Sequence, residues 1–179
     1  MTRMWLGSLL LAAGLCACDP QGLDLYSPVN ARDYARSCAR SQVDDYCQAL
    51  LPTLAATAGP VTFLMPNDGD TEITAHLARV LSTRGLTTEA FRRDPALQAA
   101  FARANIFATD RLTTGVHRTL DGVPHDVQCR LAGSGTPQDQ ICQIGPLSGV
   151  NRLQHLPAGS GSVYATTGAS RTDLPFFPF

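Results

Sequence analysis

Lysine is absent from this 179-residue chain, whose fourteen basic residues are all arginine. That excludes a phosphate-loop lysine, a Schiff-base lysine and a Ser-Lys dyad. Glutamate is nearly absent too, with Glu72 and Glu89 alone, so no His-Glu-x-x-His zinc-protease helix can be drawn. No Cys-x-x-Cys occurs, and none of His76, His117, His125 or His155 stands at ligand spacing from a cysteine, which argues against a metal site. Ser134, Ser148, Ser160 and Ser162 lie among glycines but never as Gly-x-Ser-x-Gly. The paired carboxylates Asp44 and Asp45 sit at a helix start, where capping and the helix dipole explain them. No block of like charge stands out and the formal net charge is −1, so a nucleic-acid surface is not expected. There is no internal repeat. With no catalytic constellation in view, the chain is not expected to be an enzyme, and no cofactor is expected.

What is present begins at the N-terminus. Arg3 gives a charged start, and Trp5 to Leu15 is a run of apolar and small residues too short to span a bilayer unaided. Leu15-Cys16-Ala17-Cys18 then resembles the lipobox of bacterial lipoproteins, with an aliphatic residue three before Cys18 and a small one directly before it. The resemblance implies that residues 1–17 are a lipoprotein signal peptide and that Cys18 takes a diacylglycerol and becomes the mature N-terminus. Asp19 follows; in some double-membrane bacteria that residue retains lipoproteins at the cytoplasmic membrane, and the choice of inner or outer membrane stays open. The expected location is the bacterial cell envelope, extracytoplasmic and lipid-anchored. Residues 18–29, with two prolines and a glycine, read as a tether. Maturation at Cys18 leaves 179 − 17 = 162 residues. That suits a single domain, here 30–175, large enough to bury ~70% of its unfolded surface, followed by a short tail, 176–179.

Besides Cys16 and Cys18 four cysteines remain, and an even number in an exported chain reads as two disulfides. Three pairings are open. Cys38–Cys47 and Cys129–Cys142 are favoured because each brackets one short local unit.

The pattern along the chain starts with helices. Asn30 can cap a helix from Ala31 to about Arg40, and Ser41 with Asp44 can cap a second with Val43, Cys47, Leu50, Leu51 and Leu54 on one face. Val61 to Met65 reads as a buried strand ending at Pro66, and Asn67-Asp68-Gly69-Asp70 as a turn. A helix from about Thr71 carries Ile73, Leu77, Val80 and Leu81 and stops at Gly85. Thr87 to Phe91 reads as a short helical turn. Asp94-Pro95 starts another helix, with Leu97, Ala100, Phe101 and Ala104 facing one way. From Val116 the period becomes alternating. Asp121-Gly122 signals a hairpin, and Val123, His125, Val127, Cys129 and Leu131 share one face of the returning strand. Ile141 to Ile144 and Ser162 to Thr166 read as further strands. Helices first and strands later is an α+β pattern.

Three segments then resemble the fasciclin-type domain family. Val61-Thr62-Phe63-Leu64-Met65-Pro66-Asn67-Asp68 is similar to its first motif, a strand followed by an Asn- or Asp-bearing turn. Asp94 to Phe101, running on to Asn105-Ile106-Phe107, resembles the helix that enters its Tyr-His strand, with Leu112-Thr113-Thr114 and Leu120-Asp121-Gly122 resembling the turns that follow. Ser160 to Gly168 resembles the closing strand. The chain departs from the family with Ala104-Asn105 at the Tyr-His place, Tyr164 and Thr167 at the final His and Asp, and a proline displaced by one position. The resemblance implies a fasciclin-like fold, N-terminal helices packed on a β-sandwich or wedge. It also implies a non-enzymatic binding and adhesion module that meets an envelope or surface protein or glycan. Asn67, Asp68 and Asn105 are its candidate partner-binding residues. Two alternatives remain, a structural or assembly lipoprotein of an envelope complex and a periplasmic enzyme with no recognisable motif. The phenylalanines at 176, 177 and 179 are expected to fold back onto the sheet, or else to enter a partner groove or membrane surface.

Overall fold

The first helix, α1 (Ala31–Arg40), starts where a polar side chain can serve its free N–H groups. Asn30 Oδ1 accepts from the Asp33 amide at 2.9 Å, and Asn30 Nδ2 donates to the Asp33 carboxylate at 2.6 Å. A computed structural model describes residues 30–40, 45–66, 72–131, 140–152, 159–166, 176 and 178. The lipidation candidate Cys18, the turn residues Asn67 and Asp68, and the Ser41–Asp44 cap lie outside these residues.

Helix α2 (Asp45–Ala56) follows, then β1 (Thr62–Pro66), α3 (Glu72–Thr83), α4 (Thr88–Arg93) and α5 (Pro95–Asn105). Gly85, at φ 71°, ends the α3 region, with the Leu86 amide returning to the Leu81 carbonyl at 2.9 Å. Asp94 Oδ1 accepts from the amides of Ala96 and Leu97, both at 3.0 Å, ahead of Pro95 in the first position of α5. Strand β2 (Ile106–Phe107) continues directly from α5 and is followed by β3 (Gly115–Arg118), β4 (Pro124–Leu131), β5 (Gln140–Ile144), β6 (Leu147–Arg152) and β7 (Ser162–Thr166). The class is α+β.

The described strands form one seven-stranded sheet in the order β2-β1-β7-β6-β5-β4-β3. Its pairs are antiparallel except β1 with β7, which run parallel with Phe63 opposite Val163 and Leu64 opposite Tyr164. Side-chain alternation on β1, β2 and β7 divides the buried residues between two cores. Phe63, Met65, Ile106 and Val163 face the helices, among them Tyr46, Leu50, Leu77, Phe91 and Phe101. Leu64, Phe107 and Tyr164 face the other way and meet Val127, Cys142, Ile144 and Leu147 from β4 to β6. The sheet therefore curls over a second core. Its edges meet as well, because Phe107 bridges Thr119 just past β3 and the Leu120 amide donates to the Ile106 carbonyl at 2.8 Å.

In the helical core, Phe101 takes Tyr46 and Phe91 edge-on at 5.1 and 5.6 Å. The Tyr46 hydroxyl donates to the Leu64 carbonyl at 2.6 Å. A bidentate pair, Arg92 to Asp45 at 2.6 and 2.8 Å, ties α4 to the start of α2. Entry into β7 depends on Gly161, at φ 84°, whose absent Cβ makes room for the Val61 carbonyl.

Disulfides join Cys38 to Cys47 and Cys129 to Cys142. The first staples α1 to α2, and the second links directly opposed residues of β4 and β5. Disulfides belong to an oxidising, extracytoplasmic compartment. No helix among the described residues is long and apolar enough to cross a membrane.

Three local expectations change. Strand β6 is an addition, paired to β5 and β7 although its Ser-Gly-Val-Asn centre carries no apolar alternation. On β4 only His125, Val127 and Cys129 turn into the second core. Val123 and Leu131 are exposed because they extend past the covered stretch at either end. The Asp121-Gly122 hairpin is longer than a two-residue turn, since the Thr119 amide closes it onto the Val123 carbonyl.

Candidate functional site

Of the candidate partner-binding residues, Asn105 is the one the structure describes, and it is fully buried. It closes α5 and hands the chain to β2, so its side chain stands where the helix layer meets the sheet seam. Its Nδ2 donates to the Phe101 carbonyl and to the Phe176 carbonyl, both at 2.8 Å. Two carbonyl acceptors fix which end of the amide is nitrogen. Its Oδ1 is buried and has no hydrogen-bond partner.

Phe176 brings a second contact to the same place. Its ring stacks on His125 with centroids 4.0 Å apart and planes 21° apart, and Phe107 meets His125 edge-on at 5.9 Å. The C-terminal segment thus folds back at Phe176, against the second core. Asn105 of α5 and His125 of β4 hold this residue of the tail, and Phe107 of β2 backs His125, which together form a nook.

His125 is held from its other side by Thr119. The Thr119 hydroxyl has one proton and makes its shortest contact with the Asp121 carboxylate. It therefore accepts from His125 Nε2, 3.3 Å away. That network assigns the Nε2–H tautomer of neutral histidine. Burial lowers the His125 pKa from its ordinary value, and the Asp121 charge opposes the shift. The imidazole stacked on Phe176 is accordingly uncharged at neutral pH. The Thr119 hydroxyl beside it directs its proton at Asp121.

A second concavity, about 420 Å³, opens at the N-terminus of α1 between Asn30, Arg32, Pro60 and Ser160. Its cation, Arg32, is already engaged. Nε donates to the Leu54 carbonyl at 2.9 Å, and Nη2 donates to the carbonyls of Thr57 and Gly59 at 2.5 and 2.7 Å. Arg32 closes the C-terminal end of α2 and the loop that follows.

Among the described residues no three His, Cys, Asp or Glu side chains converge to hold a metal ion. Spacing alone does not unite Asn105, His125 and Phe176, because α5–β2, β4 and the tail meet only through sheet closure. The available signals were single ones, a histidine on the inward face of an alternating strand and an aromatic chain end. No protein-family model matches the chain, and no curated protein or solved structure is significantly similar to it.

Proposed function

We propose that this chain is a divergent fasciclin-like binding module of the bacterial cell envelope, held outside the cytoplasm by lipid on Cys18. It recognises an envelope or surface protein or glycan and catalyses no reaction. One observation carries the reading. The three segments that resemble family motifs are far apart in the chain, yet they supply β2, β1 and β7, three neighbouring strands of one sheet. Meeting in one sheet is what parts of a single fold would do, and it supports the resemblance. The two disulfides support an exported domain, and they stiffen both the helical hairpin and the β4–β5 pair. A rigid scaffold carrying polar loops suits recognition.

The test is a capture experiment. Full chain carrying Cys18→Ser is immobilised with its disulfides intact and exposed to envelope extract and to purified surface glycan from the same organism. Saturable retention of one protein or glycan, lost on heat denaturation, is expected. Absence of retention refutes the binding-module reading. The anchor is tested separately. Cys18→Ser should move the protein out of membrane fractions, and continued association would overturn the lipid anchor.

A further inference from the structure

We infer that the nook formed by Asn105, Phe107 and His125 is a peptide-binding site, that Phe176 is its resident occupant, and that it accepts in trans an extended peptide bearing phenylalanine beside proline. The inference deepens the binding-module reading and rests on it.

The occupant is held in the two ways by which peptides are recognised. Its ring lies flat on His125, which selects an aromatic side chain, and its main-chain carbonyl takes a hydrogen bond from Asn105, which selects a backbone position. The walls are set independently of the tail. Phe107 belongs to the sheet, His125 is placed by β4 and by Thr119, and Asn105 is tied to the Phe101 carbonyl one turn back in α5. Phe176 itself is only partly buried.

The unused atom is the stronger sign. A primary carboxamide offers a donor and an acceptor side by side. An extended residue presents its own N–H and C=O toward one flank, as in an antiparallel ladder. Asn105 is therefore shaped to bond both backbone groups of one extended residue. The resident tail uses the donor and leaves Oδ1 buried and unmet. Among buried polar atoms this is an exception that calls for a cause. A ligand that brings an N–H to Oδ1 completes a site that the tail only half fills.

The tail also indicates the ligand's chemistry. It reads Leu-Pro-Phe-Phe-Pro-Phe from Leu174 to Phe179, with prolines at 175 and 178. Proline fixes its own φ and disfavours helix in the residue before it, so such a segment loses little freedom on binding. The tail is joined covalently to β7, so it competes intramolecularly for the nook. A partner peptide then binds by displacing it.

The probe is the fluorescent hexapeptide Leu-Pro-Phe-Phe-Pro-Phe, titrated by anisotropy against full chain with intact disulfides. Phe176→Ala removes the resident ring from His125 and leaves the backbone carbonyl as the tail's remaining hold, so this chain should bind the peptide saturably and about tenfold or more tighter than the unmutated one. Adding Asn105→Leu to Phe176→Ala should abolish the gain, as should replacing the peptide's first phenylalanine by alanine. A cooperatively melting Phe176→Ala chain that binds no tighter than the unmutated one overturns the inference. If Phe176→Ala fails to melt cooperatively, Phe176→Leu keeps apolar contact without the stack and takes its place. Failure of that variant to fold would make Phe176 an integral core residue and overturn the inference too. The titration reads this nook alone, whereas envelope capture reads the whole surface, so failure of one is distinguishable from failure of the other.

Discussion

Removing a single oxygen from Tyr46 tests the account of the helix–sheet junction. Strand β2 is two residues long and pairs with β1 no further than Phe63. The next carbonyl, that of Leu64, receives the Tyr46 hydroxyl at 2.6 Å in a fully buried setting. Tyr46→Phe keeps the edge-on contact with Phe101 and removes only this bond. The loss combines a net hydrogen bond with a less satisfied buried carbonyl, together about 2 kcal/mol. For a domain of this size that is a fall in melting temperature of about 4–8 °C. Tyr164→Phe is the comparison. Its hydroxyl donates to Gln140 Oε1 in a partly buried setting, and the loss should be about 1 kcal/mol or less. Calorimetry at neutral pH measures both. Burial also raises the Tyr46 pKa well above its ordinary value, so in alkaline absorbance titration this hydroxyl should ionise only as the chain unfolds. A Tyr46→Phe melting temperature within about 1 °C of the parent would refute the assignment of the Leu64 carbonyl to this hydroxyl.

Three further outcomes follow from the sheet and its staples. His125 has a lowered folded pKa, so near its ordinary value of about 6.5 the unfolded chain takes up a proton that the folded chain refuses. Stability is then full above that pH and falls as pH drops toward the folded value. Urea midpoints should decline from pH 7 to pH 5 and flatten in His125→Phe, and a parent midpoint that rises on acidification contradicts the buried neutral ring. Gly161→Ala forces a Cβ onto the Val61 carbonyl at φ 84° and should cost about 3 kcal/mol or more, read as a urea midpoint shift. A neutral result would show that the β7 entry relaxes freely. Paired serine substitution at Cys129 and Cys142, which lie 13 residues apart, should cost about 3 kcal/mol by loop closure, and non-reducing peptide mapping should recover both local pairs. A Cys38–Cys129 peptide would refute the paired-unit topology.

What could be read from the chain alone was local in origin. Asn30, Gly85 and Asp94 mark helix ends because capping involves neighbours within four residues, and each does so in the structure. Strands β1, β4, β5 and β7 carry apolar residues of their own. Strand β6 has Leu147 and Val150 but no alternation across Ser148-Gly149-Val150-Asn151, and its state is imposed by β5 and β7 on either side.

The nook is non-local in the same sense. Asn105 and Phe176 are separated by 71 positions, and His125 reaches them only because the sheet curls until Phe107 meets Thr119. Sequence spacing records neither event. The resemblance singled out Asn105 as a polar residue where the family has histidine, without indicating its partner. Its amide is buried and half used. A fully buried asparagine that served the fold alone would be expected to satisfy both ends of its amide within the fold. Asn105 satisfies one, and does so partly through a residue of the tail. On the inference drawn above, that asymmetry marks Phe176 as an exchangeable occupant, and it directs the first substitution to Phe176 rather than to the walls that hold it.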